Sequence, residues 1–96
     1  MVIEIMTFRL RTGVGEAEFM AADQRVQTEF AYRQPGMIRR TTGHNRDGGW
    51  VVIDLWASTA DADGSLHGWH HQPVPLEFMA LVDEASVRTQ RFEALD

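Results

Sequence analysis

Apolar and polar residues alternate from Val2 to Arg11, setting Met6, Phe8 and Leu10 on one side of an extended chain and Ile3, Ile5, Thr7 and Arg9 on the other. The pattern predicts a first strand, ended by Thr12-Gly13-Val14-Gly15. Gly15 can cap a helix that opens with Glu16 and Glu18, which suit its positive end, and Phe19, Ala22, Val26 and Phe30 then recur at helical spacing. Pro35-Gly36 stops that helix. A second strand is expected over 37–44, a hairpin loop over 45–49 and a third strand over 50–57. In the third strand Val51, Ile53 and Leu55 make one face, and Trp50, Val52, Asp54 and Trp56 the other. Ser58 with Asp61 resembles a capping box and starts a second helix through Ala62 and Leu66. Gly64 and Gly68 weaken it by roughly 1 kcal/mol each, so a break is expected near 67–71. Pro73 suits the first turn of a new helical piece carrying Leu76, Phe78, Met79 and Leu81, and a last strand should run over 86–95.

The order β-α-β-β-α-β predicts one α+β domain over 1–96, an antiparallel sheet with both helices on one face. Met6, Phe8, Leu10, Val51, Ile53 and Leu55 are expected to meet the helices, leaving Ile3, Ile5, Trp50, Val52 and Trp56 with nothing in the chain to cover them. Exposing those five would forfeit about 1.5–3 kcal/mol each, as much in sum as a small domain's stability. A second copy of the chain is the simplest cover, so a homodimer is expected.

Composition then removes several classes of function. The net charge is −5, and the nine basic residues are all arginine, scattered from Arg9 to Arg91, so no basic stripe offers a nucleic-acid surface. No apolar run approaches the roughly 20 residues of a membrane helix, no signal-peptide pattern opens the chain, and a cytoplasmic location is expected. The absence of cysteine excludes disulfides, thiolate catalysis and Cys-ligated metal.

Candidate chemistry gathers on the third strand and the second helix. Thr7, Arg9, Trp50, Asp54 and Trp56 are expected to line a small-molecule pocket roofed by the histidine-bearing segment, with Arg9 and Asp54 paired. His67, His70 and His71 are the candidate general bases, since imidazole titrates near neutrality. The spacing of His67 and His70 is compatible with a metal pair joined by Asp61 or Asp63, but no carboxylate stands at a fixed ligand spacing, and no metal is assigned.

A first strand ending Thr7-Phe8-Arg9-Leu10 leads to a glycine turn and an acidic helix start. With Gln34-Pro35-Gly36 before strand two, and Asp54-Leu55-Trp56-Ala57-Ser58 before a histidine-bearing helix, the chain resembles the antibiotic biosynthesis monooxygenase-like branch of the ferredoxin-like, dimeric α+β barrel superfamily. The resemblance implies a cofactor-free monooxygenase of phenol- or quinol-like aromatics, working as a homodimer. Two other functions occur in that superfamily: a non-catalytic, stress-related dimeric binding module, and haem binding. Haem-degrading members resemble this chain less, since they use an Asn on the first strand where it offers Thr7 and Arg9.

Overall fold

The computed structural model describes residues 1–95. Four strands, β1 (Val2–Leu10), β2 (Met37–His44), β3 (Trp50–Trp56) and β4 (Val82–Glu93), form one antiparallel sheet in the order β2-β3-β1-β4. Helix α1 (Glu16–Glu29) joins β1 to a 3₁₀ turn, Ala31–Arg33, and three short helices connect β3 to β4: α2 (Thr59–Gly64), α3 (Leu66–His71) and α4 (Pro73–Ala80). The arrangement is the expected ferredoxin-like α+β fold.

Most local expectations have a visible cause. Gly15 is the N-cap of α1 and, lacking a side chain, makes no cap bond. The Ser58 side chain accepts from the Asp61 backbone N–H at 3.1 Å and donates to the Asp61 carboxylate at 2.9 Å, starting α2. Gly36 has φ +81°, a left-handed turn that a β-carbon would resist, and a β-carbon there would collide with the Asp61 side chain. Two boundaries differ from the sequence reading. The segment 67–71 is regular helix, and the breaks fall at Ser65 and Gln72 on either side of it. Strand β4 begins at Val82, four residues early, because that side chain is fully buried and pairs with Leu10.

Strand register settles which side of the sheet is covered. Across β1 and β3, Val2 lies opposite Trp56, Glu4 opposite Asp54, Met6 opposite Val52 and Phe8 opposite Trp50. Directly paired residues share a face, so Trp50, Val52 and Trp56 lie beneath the helices, and Val51, Ile53 and Leu55 lie on the open side with Ile3 and Ile5. The expected faces of β3 are therefore exchanged. A main core gathers Phe8, Trp50, Val52 and Val82 from the sheet against Phe19 and Val26 of α1 and Phe78 of α4. Its rings meet at tilted or edge-on angles, Phe19–Trp50 at 4.7 Å and Phe19–Phe78 at 5.0 Å between centroids. At the other end of the sheet Val2, Trp56 and Ala62 form a second, smaller cluster with Met37.

Candidate functional site

Between these two clusters one row of the covered face is charged. Arg40 on β2 lies opposite Asp54 on β3, Asp54 opposite Glu4 on β1, and Glu4 opposite Arg91 on β4, so a line of alternate signs at its ends and like signs at its middle spans the whole sheet. The outer arginines are well held. Arg91 donates to Glu4 at 2.8 Å and to Asp63 at 2.7 Å. Arg40, only 4% exposed, donates to Asp23 at 2.7 Å and to Gln27 at 3.4 Å. Asp23 also accepts from Thr42 at 2.8 Å.

Asp54 is left with the remainder. Its Oδ1 is 3.9 Å from Arg40 Nε, too far for a hydrogen bond, and is buried with no hydrogen-bond partner. Burial raises the carboxyl from its ordinary 3.8 to about 6; the attraction of Arg40 opposes the rise, and the neighbouring Glu4 and Asp23 add to it. Among the described residues the Trp56 Nε1–H, on a residue 2% exposed, is the other buried side-chain polar atom without a partner.

Above the charged row lies a cavity of about 240 Å³. Trp56, Val52 and Asp54 form its floor, Phe30 and Trp69 stand at its helical side, and Leu66 and His70 border it from α3. Gly68 lets α3 approach, since a β-carbon there would stand 2.9 Å from the Phe30 ring. For scale, an apolar cavity of about 150 Å³ holds a benzene, so this one admits a substituted ring.

The structure divides the residues singled out from sequence. Asp54, Trp56 and His70 border the cavity. Thr7, Arg9 and Trp50 do not; they border a separate open groove by the hairpin, with His44 and Ser86. Arg9 is not the partner of Asp54: its guanidinium donates to the Asp47 carbonyl at 2.7 Å, and it points to the open side of the sheet, opposite to Asp54. His67 and His71 stack on one another at 4.3 Å on an exposed part of α3, away from the cavity lining. Among the described residues no three His, Asp or Glu side chains come together as a metal site.

Sequence reasoning missed Arg40 and Trp69. The Arg39-Arg40 pair on an alternating strand was a usable signal, because adjacent strand residues point to opposite faces and one arginine had to turn inward. Trp69 stands three residues after Leu66, the i,i+3 spacing of one helical face.

No protein-family model matches the chain, and no curated protein matches it. Among solved structures it is similar to SnoaB, a cofactor-independent oxygenase from Streptomyces nogalater, with 25% identity and a TM-score of 0.81 over 99% of this chain and 93% of that one. Its fold is that of the antibiotic biosynthesis monooxygenase-like proteins. A provisionally assigned antibiotic biosynthesis monooxygenase from Nitrosomonas europaea shares the fold over 100% of both chains, with 20% identity and a TM-score of 0.74. Another from Bordetella bronchiseptica superposes with a TM-score of 0.81 at 12% identity, over 98% of this chain and 96% of that one. Antibiotic biosynthesis monooxygenase-like backbones thus persist where most side chains differ. In this chain, as the register shows, the helix-covered face carries the cavity.

Proposed function

We propose that the protein is a cofactor-free oxygenase of planar phenol- or quinol-like aromatics, acting in the cavity between Trp56 and Trp69. The observation that carries this reading is the cavity itself: aromatic walls, room for a substituted ring, and one buried carboxyl without a hydrogen-bond partner. The resemblance in fold to SnoaB, a cofactor-independent oxygenase at 25% identity, supports the reaction class. In such a reaction a wall group takes the hydroxyl proton, and the electron-rich anion reacts with dioxygen. One oxygen atom becomes a new ring carbonyl, and the other leaves as water with the hydroxyl hydrogen and one ring hydrogen, so a phenol and dioxygen give a quinone and water. His70 is the only one of the three candidate histidines that borders the cavity.

The working form we propose is a homodimer joined through the open sheet face. Ile3, Ile5, Val51 and Leu55 are only half-buried there, and Ile53 and Phe92 are 40% and 48% exposed. A second copy would cover this stripe, which no element among the described residues reaches.

Tryptophan fluorescence and an oxygen electrode test the reading with a panel of planar phenols and quinols. Binding should quench emission, Trp56→Phe should reduce the quenching, and at least one member should consume oxygen. Quenching without oxygen uptake across the panel would reduce the protein to a binding module.

A further inference from the structure

We infer that Asp54 is the group that faces the ligand hydroxyl and takes its proton, and that His70 is not the base. The inference rests on the oxygenase reading above and names the proton acceptor within it.

Three features of the site lead there. The first is position. Asp54 sits in the middle of β3, flanked by β1 and β2 with paired residues on both sides, whereas His70 is exposed on α3, a six-residue helix. A base must be held to a fraction of an ångström, and a central strand does this better than a short rim helix. The second is vacancy of bonding. Arg40 spends its close hydrogen bonds on Asp23 and Gln27, and Glu4 is taken by Arg91, so of these carboxylates Asp54 is the one left without a hydrogen bond; its Oδ1 is shut in beside Arg40, and the side chain, 18% exposed, meets the cavity through its other oxygen. A ligand hydroxyl would supply the missing donor. The third is charge. Arg40 from β2, Glu4 from β1, Asp23 from α1 and His70 from α3 are the titratable or charged groups around Asp54. Two of the three nearest are acidic, and with burial they make the carboxylate a stronger base than one in water, moving it to about 6, towards working pH.

The step conserves charge inside the cavity. The substrate O–H bond breaks and a carboxyl O–H bond forms, the bonding pair stays on the substrate oxygen, and the negative charge moves from Asp54 to the ring beside Arg40. When dioxygen has oxidised the anion, the proton passes from Asp54 to the oxygen atom that leaves as water.

Two readouts test it on the intact protein. The kcat for oxygen uptake with the most active phenol of the panel should fall about 100-fold or more in Asp54→Asn, whereas His70→Gln, a change in the cavity wall, should act mainly on KM. The wild-type rate should rise with pH through about 6. The second readout does not need turnover. With 4-nitrophenol, whose neutral and ionised forms absorb differently, the wild type at pH 7 should bind the neutral form, because its hydroxyl is a weaker acid than the Asp54 carboxyl at about 6 and keeps its proton in a hydrogen bond to the carboxylate. Asp54→Asn should bind the anion, now beside Arg40 without the opposing charge, and His70→Gln, whatever its affinity, should still bind the neutral form. The same ionisation state in the wild type and Asp54→Asn, or loss of uptake in His70→Gln alone, overturns the inference and leaves the oxygenase reading standing. Oxygen uptake with no phenol sinks the oxygenase reading and the catalytic step with it, while the probe still decides the contact. No binding of the probe to the wild type overturns the contact.

Discussion

Replacing Asp54 with asparagine should stabilise the protein at neutral pH and leave it unchanged in acid. The carboxyl rises from its ordinary 3.8 in the unfolded chain to about 6 in the folded one, chiefly through burial. Below pH 3.8 both states hold the proton and the group costs nothing. Between the two values the unfolded state ionises first and binds fewer protons, so stability falls as pH rises; above about 6 the whole penalty is present. At roughly 1.4 kcal/mol for each tenfold step, the penalty is on the order of 3 kcal/mol. Asparagine keeps the shape and cannot ionise, and Arg40 keeps its bond to Asp23, so no buried charge is stranded. Thermal unfolding of both proteins at pH 4 and pH 7.5, at one fixed protein concentration, measures the effect. One kcal/mol is worth about 4–8 °C in a domain of this size, so the variant should melt on the order of 10 °C higher or more at pH 7.5 and only about 2–4 °C higher at pH 4, where the unfolded carboxyl has just begun to ionise. A variant less stable than the wild type at pH 7.5, or a difference that does not change with pH, would refute the reasoning and mean that Arg40 compensates Asp54 more fully than its 3.9 Å separation suggests.

Two further predictions concern the scaffold. Gly36→Ala combines an unfavourable positive φ with a collision against Asp61, the residue that the Ser58 cap bonds, and should cost about 1–3 kcal/mol in urea unfolding; a loss below about 0.5 kcal/mol would mean that the turn relaxes freely. Ile53→Asp places a charge at the centre of the open sheet face and should convert a dimer to a 10.9 kDa monomer in sedimentation equilibrium, whereas a wild type already monomeric at micromolar concentration would end the dimer proposal.

The order of elements was legible in the sequence because each carries a local mark: the Gly15 cap, the Ser58 side chain, the proline at the start of α4, and alternation in β1 and β3. What alternation could not reveal was which face of β3 the helices cover. Both faces of that strand are apolar, and Asp54 within one of them does not by itself say which is covered. Only pairing with β1 decides, and a slip of one residue would have exchanged the faces. The same ambiguity misplaced the site. Asp54 and Trp56 belong to it, while Thr7 and Arg9 alternate onto the open face and Trp50, on the covered face, is packed into the main core at the hairpin end. His67 and His71 were set aside by helical geometry, which at four residues' separation stacks them on each other. Arg40 and Asp23 stand 17 residues apart in sequence, on different elements, and no local pattern announces such a contact.

The charged row across the sheet has a further consequence for how a ligand would meet the site. Strands lie about 4.8 Å apart, so Arg40, Asp54, Glu4 and Arg91 make a short linear array of sign plus, minus, minus, plus. Such an array has no net charge and almost no dipole; its leading moment is a quadrupole, whose potential decays as the cube of distance. Outside the cavity the row is nearly silent, and it neither draws anions in nor drives them off. Inside, within a bond length or two of Asp54, the field is strong and sharply local. In the proposed reaction the row would therefore take no part in capturing a neutral aromatic and would act only once the ring is seated, so that recognition of the ring and ionisation of its hydroxyl would fall to different parts of the same wall.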